Sequence, residues 1–207
     1  MPARAPYPTA VPFLPAKPTL TAAREAVQHC EGCPLYANAT QAVFGEGLVS
    51  SDVMLVGEQP GDQEDKQGAP FVGPAGGVLD RALDAAGIDR RNAYVTNAVK
   101  HFKWRARGTR RIHDKPSWTE QVACRPWVEL ELRLVRPRAL VLLGATAAQS
   151  LLGKDFRVTK SRGVPLDSEL AELVVATIHP SAVLRGDDRE ALFAGLVDDL
   201  RVVADAL

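Results

Sequence analysis

Asp52-Val-Met-Leu-Val-Gly57, running directly into Glu58-Gln-Pro-Gly-Asp62, sets the fold class of this chain. A continuous apolar run that stops at glycine, without the alternation of a half-exposed strand, is the pattern of a strand covered on both faces in a parallel sheet. Three more runs share its form: Ala93 to Thr96 ending at Asn97, Ala139 to Leu143 closed by Gly144, and Leu173 to Ile178 ending in His179-Pro180-Ser181. Helical patterns lie between them. Pro74 suits a helix N1 position, and the helix it opens puts Val78, Leu79, Ala82, Leu83 and Ala86 on one face before stopping at Gly87. Ser117-x-x-Glu120 has the capping-box spacing and opens a helix that Pro126 is expected to kink just after Cys124. Ala145 to Leu152 is a further helix, and Asp187 or Asp188 caps a last one whose Leu192, Leu196, Leu200 and Val203 share a face. Strands alternating with helices predict a three-layer α/β/α sandwich with a central four-stranded parallel sheet.

That domain is expected over residues 19–207, beginning with a short helix at about Thr19 to His29. Residues 1–18 hold six of the 15 prolines and read as an extended arm, pinned to the body by Val11, Phe13 and Leu14. A chain of 207 residues with 46% apolar and 24% charged content has room for one core. No apolar run approaches the roughly 20 residues that cross a bilayer, and the start lacks a signal peptide's apolar stretch, so a cytoplasmic protein with no membrane partner is expected. No spare apolar helix face is evident, which favours a monomer.

Net charge is zero, yet Lys100, Lys103, Arg105, Arg107, Arg110, Arg111 and Lys115 stand against one acid, Asp114, in a single segment. A neutral protein with such a segment can still present a positive face to phosphates. Three cysteines, with Cys30 and Cys33 as C-x-x-C, do not make a disulfide framework and turn attention to metal or redox chemistry. Spacing alone leaves two readings: a cluster or zinc site completed by His101, or an ordinary buried thiol at Cys124 beside a solvated histidine. In open parallel sheets ligands bind off the carboxyl ends of the strands, where Glu58, Gln59, Asn97 and His179 fall. Gly57 and Gly61 free backbone amides for close approach, and Glu58 and Asp62 could handle a proton or a cation. Neither G-x-x-x-x-G-K-[ST] nor G-x-G-x-x-G is present.

The ordered motifs Gly57-Glu-Gln-Pro-Gly-Asp-Gln-Glu-Asp65, Gly68-Ala-Pro-Phe-Val-Gly-Pro-Ala-Gly76, Thr96-Asn-Ala-Val-Lys100 and His179-Pro-Ser181 resemble those of the iron-sulfur uracil-DNA glycosylases of family 4. Gln59 and Arg110-Arg-Ile-His113 are more similar to the UdgX branch, whose members become covalently joined to DNA; Thr109 stands where that branch usually has lysine. The resemblance runs from about residue 20 to the C-terminus. It implies a 4Fe-4S cluster on Cys30, Cys33, His101 and Cys124, with histidine in place of a third family cysteine. It also implies uracil-containing DNA as substrate, single strands preferred, and uracil as product. By resemblance Phe71 stacks on the base, Asn97 reads its edge, His179 donates toward O2, and the backbone around Gly57, Gln59 and Gly61, with Asp62 and Ser181, lines the site. His113 would then capture the C1' cation with Glu58 as its proton acceptor, while Lys100, Arg107, Arg110 and Arg111 contact phosphates. A conventional multi-turnover glycosylase and a non-catalytic DNA-binding module are the alternatives. Because an attacking imidazole must be neutral, adduct formation is expected to weaken toward acid.

Overall fold

A computed structural model describes residues 9–207, so the first eight residues of the expected arm lie outside the described residues. The elements are α1 (Leu20–Val27), β1 (Val53–Gly57), α2 (Asp62–Gln67), α3 (Pro74–Ala86), β2 (Ala93–Asn97), β3 (Trp104–Arg107), β4 (Arg110–His113), α4 (Trp118–Val135), β5 (Ala139–Leu143), α5 (Ala145–Leu152), α6 (Val158–Ser161), β6 (Pro165–Leu166), β7 (Leu173–Thr177), α7 (Pro180–Arg185) and α8 (Arg189–Ala204). The sheet order is β2-β1-β5-β7-β6. The four expected strands are all parallel, and β6 adds a two-residue antiparallel edge against β7.

Alternate residues of each strand point to opposite faces, and both faces are covered. Leu55, Val95, Val141 and Val175 pack with α3 and α8 residues Leu79, Leu83, Leu196 and Leu200. Met54, Val56, Leu140, Leu142 and Val174 pack on the other side with Val128, Leu132 and Ala148. This double burial explains why the strands read as unbroken apolar runs. Glu46 exchanges both backbone hydrogen bonds with Val95 at 2.8 Å and so seals the outer edge of β2.

Helix starts follow the cap residues. Thr19 accepts from the Ala22 amide at 3.0 Å, and Asp188, of the two candidates, accepts from Ala191 at 2.9 Å. Ser117 and Glu120 bond reciprocally at 2.6 and 3.3 Å. α4 continues through Pro126 to Val135. A third cluster gathers Cys30, Cys33, Cys124, Val27, Phe44 and Trp127, with Phe13 and Leu14 against it. The arm is therefore held from Ala10 onward, where the Ala10 amide donates to Ala123 O at 2.8 Å and a 3-10 turn spans Val11–Phe13, while Val11 is exposed. Within the glycine-rich stretch after β1, Asp62–Gln67 is helical, and the basic segment forms an antiparallel hairpin, β3 on β4. No helix among the described residues is long and apolar enough to cross a membrane.

Candidate active site

The chain runs from β1 to β2 on one side of the sheet and on to β5 and β7 on the other, so the strand order reverses at β1, the kind of place where such sheets bind ligands. A cavity of about 350 Å³ opens there, lined by Glu58, Gln59, Gly61, Asp62, Phe71, Asn97, His113, His179 and Ser181. Gly57 makes the convergence possible: a Cβ on it would sit 2.4 Å from Asn97 Oδ1 and 2.6 Å from Phe71 Cζ. Asn97 lies opposite Gly57 in the sheet register and is buried, and among the described residues nothing hydrogen-bonds its carboxamide. A buried amide without partners in the protein is suited to a ligand with a matching polar edge. Phe71 holds a left-handed backbone, φ 57°, unusual for a bulky residue, and its ring stacks near His179 with centroids 6.2 Å apart and planes at 26°.

His179 stands at the N-cap of α7. Its Nδ1 accepts from the Ser181 amide at 3.1 Å and lies 2.7 Å from the Ser181 hydroxyl, which leaves Nε2–H as the ring's donor. Burial pushes its pKa down to about 4, against the pull of Glu58. It is therefore a neutral hydrogen-bond donor at ordinary pH. Glu58 faces His113 Nε2 through Oε1 at 3.2 Å, and the Thr146 hydroxyl donates to Oε2. Burial would raise the Glu58 pKa, but the bonds from His113 and Thr146 prevail and hold it below the usual carboxylate range.

His113 is placed by the hairpin, and the hairpin by Gln59. The buried Gln59 carboxamide donates to Lys103 O and Asp114 O, each at 3.1 Å, and accepts from Lys103 N at 2.9 Å. It ties together the residues just before β3 and just after β4. Gln59, expected among the site residues, therefore also seats the hairpin that carries His113. Arg111 bonds Asp62 and Asp65, both at 2.6 Å, and lies over the rings of Phe102 and Trp104 at 5.4 and 5.6 Å, so it latches the hairpin to α2. Asp62 borders the cavity, but its carboxylate is engaged by Lys66 and Arg111. Lys100 is wholly enclosed and paired with Glu131 at 2.5 Å, so it touches no phosphate. Arg107 and Arg110, at the hairpin turn, are exposed.

Cys30, Cys33 and Cys124 are all free and buried in the third cluster. Burial raises the Cys33 pKa and, with Cys33 beside it, pushes that of Cys124 up to about 12. Thiols this close would need a cation to become thiolates. Two donors already face sulfur: Trp127 Nε1 to Cys30 and the Lys100 amide to Cys124, each at 3.2 Å. His101 is buried, its pKa lowered by desolvation to about 4, and with Cys30 it lines a cavity of about 220 Å³. Among the described residues no three of these donors come within reach of a single metal ion.

Three contributors escaped the sequence reading. Glu64 receives the Gly61 and Gly73 amides at 3.0 and 2.7 Å, bracing two walls of the cavity; the G-x-x-E spacing after Gly61 was its signal. Thr146 follows the β5 strand end, where site residues are expected, and Arg185 lines the cavity from the end of α7.

The Uracil DNA glycosylase superfamily profile matches residues 44–201. The type-4 uracil-DNA glycosylase of Thermotoga maritima is 40% identical over 167 residues, 80% of this chain and 83% of the relative. That of Pyrobaculum aerophilum is 35% identical over 168 residues, 78% and 82% of the two chains. That of Sulfurisphaera tokodaii is 34% identical over 169 residues, 78% and 74%. The matched span takes in every parallel strand and every residue that lines the cavity, and on that footing the chain belongs to the uracil-DNA glycosylase superfamily.

Proposed function

We propose that this protein excises uracil from DNA, as its type-4 relatives are named for doing, and is then captured on the abasic sugar through His113. The observation that carries the second half is the contact of His113 with Glu58 at the rim of the cavity, 3.2 Å apart. A base must leave its stack to reach such a pocket, which makes single-stranded DNA the cheaper substrate. Phe71 offers a face to the flipped ring. The free Asn97 carboxamide matches the acceptor-donor edge of uracil and mismatches that of cytosine.

The C1'–N1 bond breaks with its electron pair going to the base. The neutral His179, donating through Nε2, meets the negative charge that grows on the base. The oxocarbenium left behind is met by the His113 ring. One ring nitrogen is held by Glu58, the other brings its lone pair to C1', and the resulting imidazolium gives its N–H proton to Glu58. The adduct has no good leaving group. Cys30, Cys33, Cys124 and His101 are the residues that would hold a 4Fe-4S cluster, which when bound supplies a rigid link between the C-x-x-C turn, the segment before the hairpin and α4.

A denaturing gel tests this. Incubation with single-stranded uracil DNA is expected to give a band that survives denaturation in the parent and none in His113→Ala, which instead releases free abasic DNA as water takes the cation. A persistent band in the variant refutes the nucleophile; free abasic product from the parent supports a conventional turnover enzyme, and unchanged DNA a non-catalytic binder.

A further inference from the structure

Between Asn97 and His101 lies Lys100, a wholly buried ammonium. Its three N–H groups all have acceptors: Thr96 Oγ1 at 2.7 Å, the Asn97 carbonyl at 2.8 Å and Glu131 Oε2 at 2.5 Å. Glu131, on α4, is equally enclosed and also receives the Gly45 amide at 2.9 Å, the Tyr94 hydroxyl at 3.0 Å and the Thr96 hydroxyl at 2.9 Å. Burying such a pair brings little net stability, because apolar residues of similar volume do as well or better. Its contribution is geometry. Among the described residues nothing hydrogen-bonds the Asn97 carboxamide, so its aim depends on the backbone that carries it. On the β1 side that backbone is held by the strand pairing and by the Ala98 and Val99 amides, which donate to Gly57 O at 2.9 Å and Glu58 O at 3.0 Å; on the other, Lys100 takes the Asn97 carbonyl.

We propose that Lys100 and Glu131 are positioning residues for Asn97, fixing the end of β2 so that the carboxamide meets the flipped base in register. The proposal rests on the reading of Asn97 as the residue that recognises uracil. It gives the buried lysine a part in recognition without any contact with DNA.

The test is a cycle of four proteins: the parent, Lys100→Met with Glu131→Gln, Asn97→Ala, and all three changes together. The paired change removes both charges at once and leaves no ion stranded. Single-turnover excision from a single-stranded uracil oligonucleotide is expected to slow about 10- to 100-fold in the paired variant, with affinity for the oligonucleotide within about twofold. In the Asn97→Ala background the same change is expected to cost nothing further, because residues acting as one unit are non-additive. Equal losses in both backgrounds overturn the proposal, as does full speed in the paired variant. Should that variant not fold, Thr96→Val, which removes one hydroxyl of the same network, goes through the same cycle. A parent that leaves uracil in place brings down the glycosylase reading and this proposal with it; a parent that excises uracil, with additive losses, brings down the proposal alone.

Discussion

Glu58 is kept anionic by its neighbours. The Thr146 hydroxyl on one oxygen and the His113 ring on the other hold its pKa below the usual range despite burial, so it is ready to take a proton at neutral pH. Glu58→Gln keeps the shape but cannot accept that proton; adduct formation, followed by time course on denaturing gels, is expected to slow about 100-fold, and an unchanged rate removes Glu58 from the mechanism. His179 behaves oppositely as a base. Its folded pKa of about 4 lies below the ordinary 6.5, so between those values the unfolded chain binds a proton that the native protein refuses. Stability should therefore fall as pH drops through that window. Melting temperatures across it are expected to fall less steeply for His179→Gln, by about one proton's worth of slope.

The position of His113 is set by whole elements more than by any single residue. β3 and β4 bury no apolar face of their own, and they are held by Gln59 between their feet, Arg111 across to α2 and the Trp104 indole, which donates to Asn38 O at 2.8 Å. Gln59→Ala is expected to lower the adduct fraction more than about tenfold while excision continues and free abasic DNA appears, because the hairpin loses the bonds that seat it. An unchanged adduct fraction would mean that the hairpin holds itself. The parallel strands were legible because double burial writes them as unbroken apolar runs, and the helix starts because caps are local. The hairpin was not, since Trp104-Arg-Ala-Arg107 shows only charge and its partners lie at Asp62 and Asp65. α2, six polar residues, has no apolar period to read. Lys100 looked like one more member of a charge run; the partner that buries it, Glu131, stands 31 residues on. Asn97 and His179 were legible because the strand ends mark the site, and Phe71 only through the family resemblance, whereas the orientation of the Gln59 carboxamide is set by partners at Lys103 and Asp114, far along the chain.

The whole molecule is two apolar layers about a sheet, plus a third cluster joined to them through α4 and the Thr96–His101 segment. Only the third contains the thiols. Iron and sulfide analysis of freshly purified protein is expected to give one 4Fe-4S group per chain, and chelation to lower the melting temperature and open residues 9–45 to protease before the sheet. A metal-free preparation that melts and resists protease as the fresh protein does would refute the cluster. Gly57 ends β1 in the middle of all this, and it makes position 57 peculiar for sequence drift. Alanine, a mild exchange in most buried strands, would set its methyl against the Asn97 oxygen and the Phe71 ring. The smallest heritable change at that point forces the Asn97 carboxamide or the Phe71 ring, both of which line the cavity, to shift. A lineage can lose the activity there without losing the protein.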